Sequence, residues 1–107
     1  MIELSALRKL CNDNTIVMTQ HVAVRCHERG IQYDDIKATV LRGEIIEQYP
    51  ADYPYPSCLM VCHLNENKVL HVVLGVSDHR LWIITAYYPD QSKWYPDCKT
   101  RKAEAKL

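Results

Sequence analysis

Residues 19–31 read TQHVAVRCHERGI, and His21, Arg25 and Arg29 recur at every fourth position. On a helix, positions i, i+4 and i+8 form one ridge, so an imidazole and two guanidiniums would stand in a row. These are the groups that metal-free cleavage of a phosphodiester calls for. Imidazole moves protons near working pH because it titrates at about 6.5. Guanidinium grips phosphate oxygens with a planar fork of donors. A donor placed where charge develops in the transition state is worth about 3–4 kcal/mol. The plainer account of such a ridge is a solvated helix face. Like charges four residues apart cost about 0.2–0.5 kcal/mol, which Glu28 offsets in part. Val22 and Cys26 lie on the adjoining side and are expected to face the core.

A second set of polar residues sits in two apolar runs. VLHVVLGV (69–76) and LWIITAYY (81–88) read as strands. Alternation puts Leu70, Val72, Leu74 and Val76 on one face and His71 on the other. If Trp82, Ile84 and Ala86 join the first face under the helices, then His71, Thr85 and Tyr87 share the opposite one. A one-residue slip would reverse this assignment. His71 has two readings, a second proton-transfer group or a core histidine bonded to a backbone carbonyl.

These residues need a scaffold. IELSALRKLC (2–11) has near-helical apolar spacing, and NDN (12–14) ends it. Thr19 is a fair N-cap and Gly30 a fair stop for a helix from about Gln20. Tyr33-Asp34-Asp35 opens a third helix, with Ile36, Val40 and Leu41 as its apolar face and Gly43 at its end. EIIEQY (44–49), SCLMVCHL (57–64) and the two runs above predict four strands. NENK (65–68) and SDHR (77–80) are the turns between the later ones. Prolines at 50, 54 and 56 make 49–57 an extended loop. Helices followed by a meander predict one α+β domain over 1–107, with N-terminal helices on a four-stranded antiparallel sheet.

The 107 residues suffice for one core. No apolar run approaches the ~20 residues that span a membrane, and Glu3 and Arg8 interrupt any signal-peptide pattern. A cytosolic protein is expected. Its five cysteines are then free thiols, with Cys58 and Cys62 acting as small hydrophobes. The histidines His21, His27, His63, His71 and His79 show no metal-site spacing with Cys58 and Cys62. No metal or other cofactor is expected, and His27, His63 and His79 are read as surface or turn residues. Net charge is zero, from 13 basic and 13 acidic residues, which argues against strong non-specific nucleic-acid binding. The charge is unevenly spread: residues 34–66 carry six acidic groups against two basic, and 93–107 five basic against two acidic.

H-x-x-x-R-x-x-x-R-G-I (21–31), DDIKATVLRGEIIEQYP (34–50), PSCLMVC (56–62), LHVV (70–73) and WIITAYYPD (82–90) occur in this order. Together, over about residues 18–94, they resemble a bacterial and archaeal family known only as a domain of unknown function, grouped with RelE-like and barnase-like small ribonucleases. The resemblance implies helices N-terminal to a twisted antiparallel sheet whose other face takes RNA. It implies a toxin of a two-gene toxin–antitoxin module, partnered by a small antitoxin with a zinc finger and a helix-turn-helix. His21, Arg25, Arg29, His71, Thr85 and Tyr87 are then the matching polar positions. The neutral charge departs from such toxins, which tend to be basic.

These readings join in one expectation, a metal-independent endoribonuclease. His21 and His71 exchange protons with substrate, Arg25 and Arg29 clamp phosphate, and Thr85 and Tyr87 position the RNA. Tyr87, Tyr88 or Trp94 stacks a base, and Lys99, Arg101 and Lys102 reach phosphates from the C-terminal end. The competing expectation is a non-catalytic module that docks a protein through the sheet face and the Tyr/Pro-rich loop 49–56, with Tyr53 and Tyr55 as contacts.

Overall fold

The computed structural model describes residues 1–102. Three helices, α1 (Leu4–Asn12), α2 (Gln20–Glu28) and α3 (Tyr33–Arg42), pack on a sheet of β1 (Ile16–Met18), β2 (Glu44–Tyr49), β3 (Ser57–Asn65), β4 (Lys68–Ser77) and β5 (Arg80–Tyr87). The strand order is β1-β5-β4-β3-β2. The α+β class and all three helices match expectation. The sheet does not: it has five strands and is mixed, because β1 runs parallel to β5 through Ile16, Val17 and Met18 beside Leu81, Trp82 and Ile83. Three residues are too few to show alternation, so this strand left no period to read. No helix among the described residues is long and apolar enough to cross a membrane.

Local signals explain the helix boundaries. Thr19 caps α2 by accepting the Val22 N–H at 3.2 Å. At its other end Gly30 takes φ +70°, Gly30 N–H bonds the His27 carbonyl and Ile31 N–H bonds that of Cys26 at 2.8 Å. This is a Schellman closure, and it needs the left-handed conformation glycine adopts without strain. Gln32 and Asp35 form a capping box at the start of α3. Arg8 from α1 donates to the carbonyls of Val40 and Gly43, satisfying the C-terminal end of α3.

The core lies between helices and sheet. Leu7, Val22, Cys26, Ile36 and Val40 meet Cys58, Met60, Leu70, Val72, Leu74, Leu81, Ile83 and Ala86. Simple alternation fails in β5. Val72 pairs Ala86 and Val73 pairs Thr85, but Leu74 pairs Ile83, so Ile84 is an extra residue in a β-bulge. Leu81 and Ile83 therefore face the helices, and so does Ala86. Trp82, expected on that side, lies opposite Gly75 on the other face, and Ile84 points outward at 38% exposure.

The other face is also covered. Tyr55 from the 50–56 loop packs over Gly75 and beside Trp82. The chain after β5 returns across His71 through Trp94 and Cys98. Residues 94–101 form a small bracket, tied by Trp94 to Arg101 and by Asp97 accepting from Lys99 and Thr100. The open sheet face implied for RNA is thus filled by this chain itself. Tyr53 at the loop tip stays 94% exposed.

At Gly43, where α3 turns into β2, an added Cβ would meet the carbonyl oxygens of Val61 and Thr39. Both are backbone atoms and cannot swing aside. Gly43→Ala should therefore lower the free energy of unfolding by about 2–3 kcal/mol or more, read from urea denaturation.

Candidate functional site

The six residues expected to form one site fall into two groups. His21, Arg25 and Arg29 line an open cleft of about 350 Å³ with Ile84, Thr85 and Ala86. The cleft exists because β1 stops after Met18, beside Ile83. From Ile84 onward this edge of β5 has no neighbouring strand among the described residues, and α2 lies against it instead. The Schellman closure aims Arg29 at that edge. Its Nη1 donates to the Ala86 carbonyl at 2.8 Å and approaches Thr85 Oγ1 at 3.5 Å. Arg29 thereby satisfies an acceptor of the unpaired edge, and its remaining N–H groups are available. His21 and Arg25 are exposed and make no hydrogen bond or ion pair among the described residues. Among the described residues no carboxylate lines the cleft.

His71 and Tyr87 lie on the opposite face of the sheet, paired across β4 and β5. His71 is fully buried. Its Nε2 donates to the Cys98 carbonyl at 2.7 Å, and its Nδ1 lies 3.4 Å from the Tyr87 hydroxyl, which donates to it. These partners define the neutral tautomer. The Trp94 ring packs edge-on against the imidazole, 4.6 Å between centres. Burial lowers the His71 pKa, and the bond to Cys98 offsets this only in part. With both ring nitrogens engaged, His71 is a core histidine bonded to a carbonyl, and it does not join His21.

Around His71 the sheet face carries a polar network that the sequence reading missed. Arg101 grips Glu47 at 2.9 and 3.1 Å, and Tyr49 donates to the same carboxylate. Burial alone would raise the Glu47 pKa, but the bonds from Arg101 and Tyr49 outweigh it and hold the carboxyl below its ordinary value. Burial and that carboxylate push Tyr49 up to about 12. Burial also raises Tyr87. The period-2 pattern of EIIEQY could have shown Glu47 and Tyr49 on one face, but the bulge between Ile45 and Glu47 decides which face.

The residues expected to bind RNA scatter in the same way. Trp94 is 3% exposed, held between His71 and the Arg101 guanidinium 4.5 Å from its ring centre, so no base can stack on it. Lys99 pairs with Glu44 at 2.9 Å beside β2, the far edge of the sheet from the cleft. Arg101 is committed to Glu47. The Lys102 ammonium lies 5.8 Å from the Tyr95 ring centre. Tyr88 is 37% exposed and stands near the cleft, its hydroxyl donating to the Gly30 carbonyl at 3.3 Å. The basic C-terminal end thus docks on the acidic 34–66 region. The part of that end containing Glu104 and Lys106 lies outside the described residues.

Among the described residues no three His, Cys, Asp or Glu side chains gather as a metal ion would need. His27 and His63 are exposed, and His79 sits in the β4–β5 turn at φ +56°. The five cysteines are unpaired. Burial pushes the Cys58 thiol up to about 11 and raises Cys11, Cys26 and Cys62, which opposes nucleophilic use.

A family model described as Domain of unknown function (DUF4258) matches residues 18–88, well over half of the chain. The chain belongs to this family. The matched span runs from the end of β1 to Tyr88, so it holds both the cleft and His71. Neither a curated protein nor a solved structure matches the chain.

Two measurements follow. Arg29→Ala removes a charged donor from the β5 edge and should cost about 1 kcal/mol of stability by urea denaturation. Arg25→Ala, which breaks no bond, should stay within about 0.5 kcal/mol of the parent. The depressed His71 pKa means the unfolded chain binds its proton first on acidification. Its contribution is therefore constant above 6.5 and is lost as pH falls below that value. The denaturation midpoint should drop between pH 7 and 5, and His71→Phe should flatten that slope.

Proposed function

We propose that the chain is a metal-independent endoribonuclease working in the His21–Arg25–Arg29 cleft, and the toxin of a two-gene toxin–antitoxin module. The observation that carries this reading is the cleft's chemistry. Among the described residues, one unpaired imidazole and two guanidiniums share an open concavity with a threonine and no carboxylate. Such a lining favours a phosphodiester. The helices and the antiparallel β2–β5 are consistent with the RelE-like and barnase-like resemblance, whereas the parallel β1 departs from it.

In the proposed reaction the RNA 2′-oxygen attacks the adjacent phosphorus and the bond to O5′ breaks. A 2′,3′-cyclic phosphate and a free 5′-hydroxyl result. One proton leaves the 2′-hydroxyl and one reaches O5′. His21 lines the cleft without a neighbouring imidazole, so it serves one transfer and water the other. Arg25 and the free side of Arg29 hold the non-bridging oxygens. Thr85, half-buried beside Arg29, orients the sugar–phosphate. His71 supports the fold beneath and takes no proton from substrate. The partner antitoxin silences the protein by covering this cleft.

The test is cleavage of RNA by the purified protein in EDTA, with analysis of the product ends. Wild type should leave 2′,3′-cyclic phosphates. His21→Ala should slow cleavage at least 100-fold, and Arg25→Ala should slow it comparably, both without loss of stability. Undiminished cleavage by His21→Ala would remove His21 from the reaction. No cleavage by folded wild type, with or without ribosomes, would sink the ribonuclease reading.

A further inference from the structure

Beyond Ala86, the last residue to line the cleft, the chain runs on through Tyr87 to Tyr88. Tyr88 leaves the end of β5 with its ring partly exposed and its hydroxyl bonded to Gly30, the residue after Arg29. A strand advances about 3.3 Å per residue. Tyr88 therefore stands about 7 Å beyond the Ala86 carbonyl that Arg29 grips, a span suited to one nucleotide of an extended single strand. The Tyr88 ring lines two concavities. One of about 410 Å³ is shared with Asn67, Lys68 and Gln91, and one of about 350 Å³ with Lys93. The Lys68 ammonium lies over the ring, 5.6 Å from its centre, and also pairs with Asp35 at 3.8 Å. The carboxylate of Asp90 also lines the second hollow, where it accepts the Ser92 N–H.

An aromatic ring anchored by its own hydroxyl, flanked by two primary amides and two ammonium groups, matches a nucleobase joined to phosphate. The ring stacks the base, the amides bond its edge, and the cations meet phosphates on either side. Bases inside a duplex are already stacked and cannot enter.

We propose that the cleft takes single-stranded RNA, with Tyr88 stacking the base one nucleotide from the phosphate held by Arg25 and Arg29, and Asn67 and Gln91 contacting that base's edge. This rests on the ribonuclease reading above and adds its substrate class and a specificity-determining subsite. It also explains how a neutral chain can bind RNA: stacking supplies affinity that net charge does not.

The experiment uses 2′-O-methyl RNA hexamers, which cannot be cleaved, and fluorescence anisotropy. An abasic nucleotide is placed at each position in turn. Wild type should bind the single strand at least 10-fold more tightly than the matching duplex. One abasic position should weaken wild-type binding about 10- to 100-fold. Tyr88→Ala should weaken binding of the intact hexamer similarly and become indifferent to that abasic site. Tyr88→Phe, which keeps the ring and loses the bond to Gly30, should bind as wild type does. If Tyr88→Ala remains sensitive to the abasic site, or if the duplex binds equally well, the subsite is overturned while cleavage can still stand. If neither hexamer nor duplex binds and all-ribose RNA is not cleaved, the subsite and the ribonuclease reading fall together.

Discussion

The extra residue in β5 governs the rest of the molecule. With Ile84 skipped in the pairing with β4, Leu81 and Ile83 before it and Ala86 after it all face the helices. Without the bulge, the side chains on one side of Ile84 would turn to the opposite face. The bulge also turns Ile84 out at the place where β1 has already ended. The β5 edge there needs another source of donors, and Arg29 supplies one to the Ala86 carbonyl. The cleft is a consequence of this one irregularity and the short strand beside it.

Charge is arranged by the same logic. The chain is neutral overall, yet its basic C-terminal end and acidic middle are separate in sequence. In the fold they meet: Lys99 reaches Glu44, and Arg101 reaches Glu47. The Arg101 pair is partly screened by Trp94 and Tyr49 and takes two aligned hydrogen bonds, which makes it stronger than a typical exposed ion pair. This pairing fastens residues 94–101 across the sheet and buries His71. It leaves the cationic groups of the α2 ridge on the other side of the sheet, without carboxylate neighbours in the cleft among the described residues. A histidine that looked suited to chemistry is a packing element, and the ridge that looked like a solvated helix face lines the cleft.

The sequence by itself determined the three helices, through apolar spacing, the Thr19 cap, the Gly30 stop and the Tyr33-Asp34-Asp35 start, because these depend on neighbours within a few residues. It determined four of the strands and the alignment of His21, Arg25 and Arg29, because helical and strand periods are local properties. It also put His71 and Tyr87 on one sheet face, where they pair across β4 and β5, but Thr85, read with them, stands in the cleft beside Arg29. Only the tertiary structure decided that this face is covered, that β1 joins in parallel, and that the two histidines lie on opposite sides of the sheet. A bulge, a strand pairing and a returning segment each depend on partners far along the chain. Their energies come from non-local hydrogen bonds and burial that no short window of residues records.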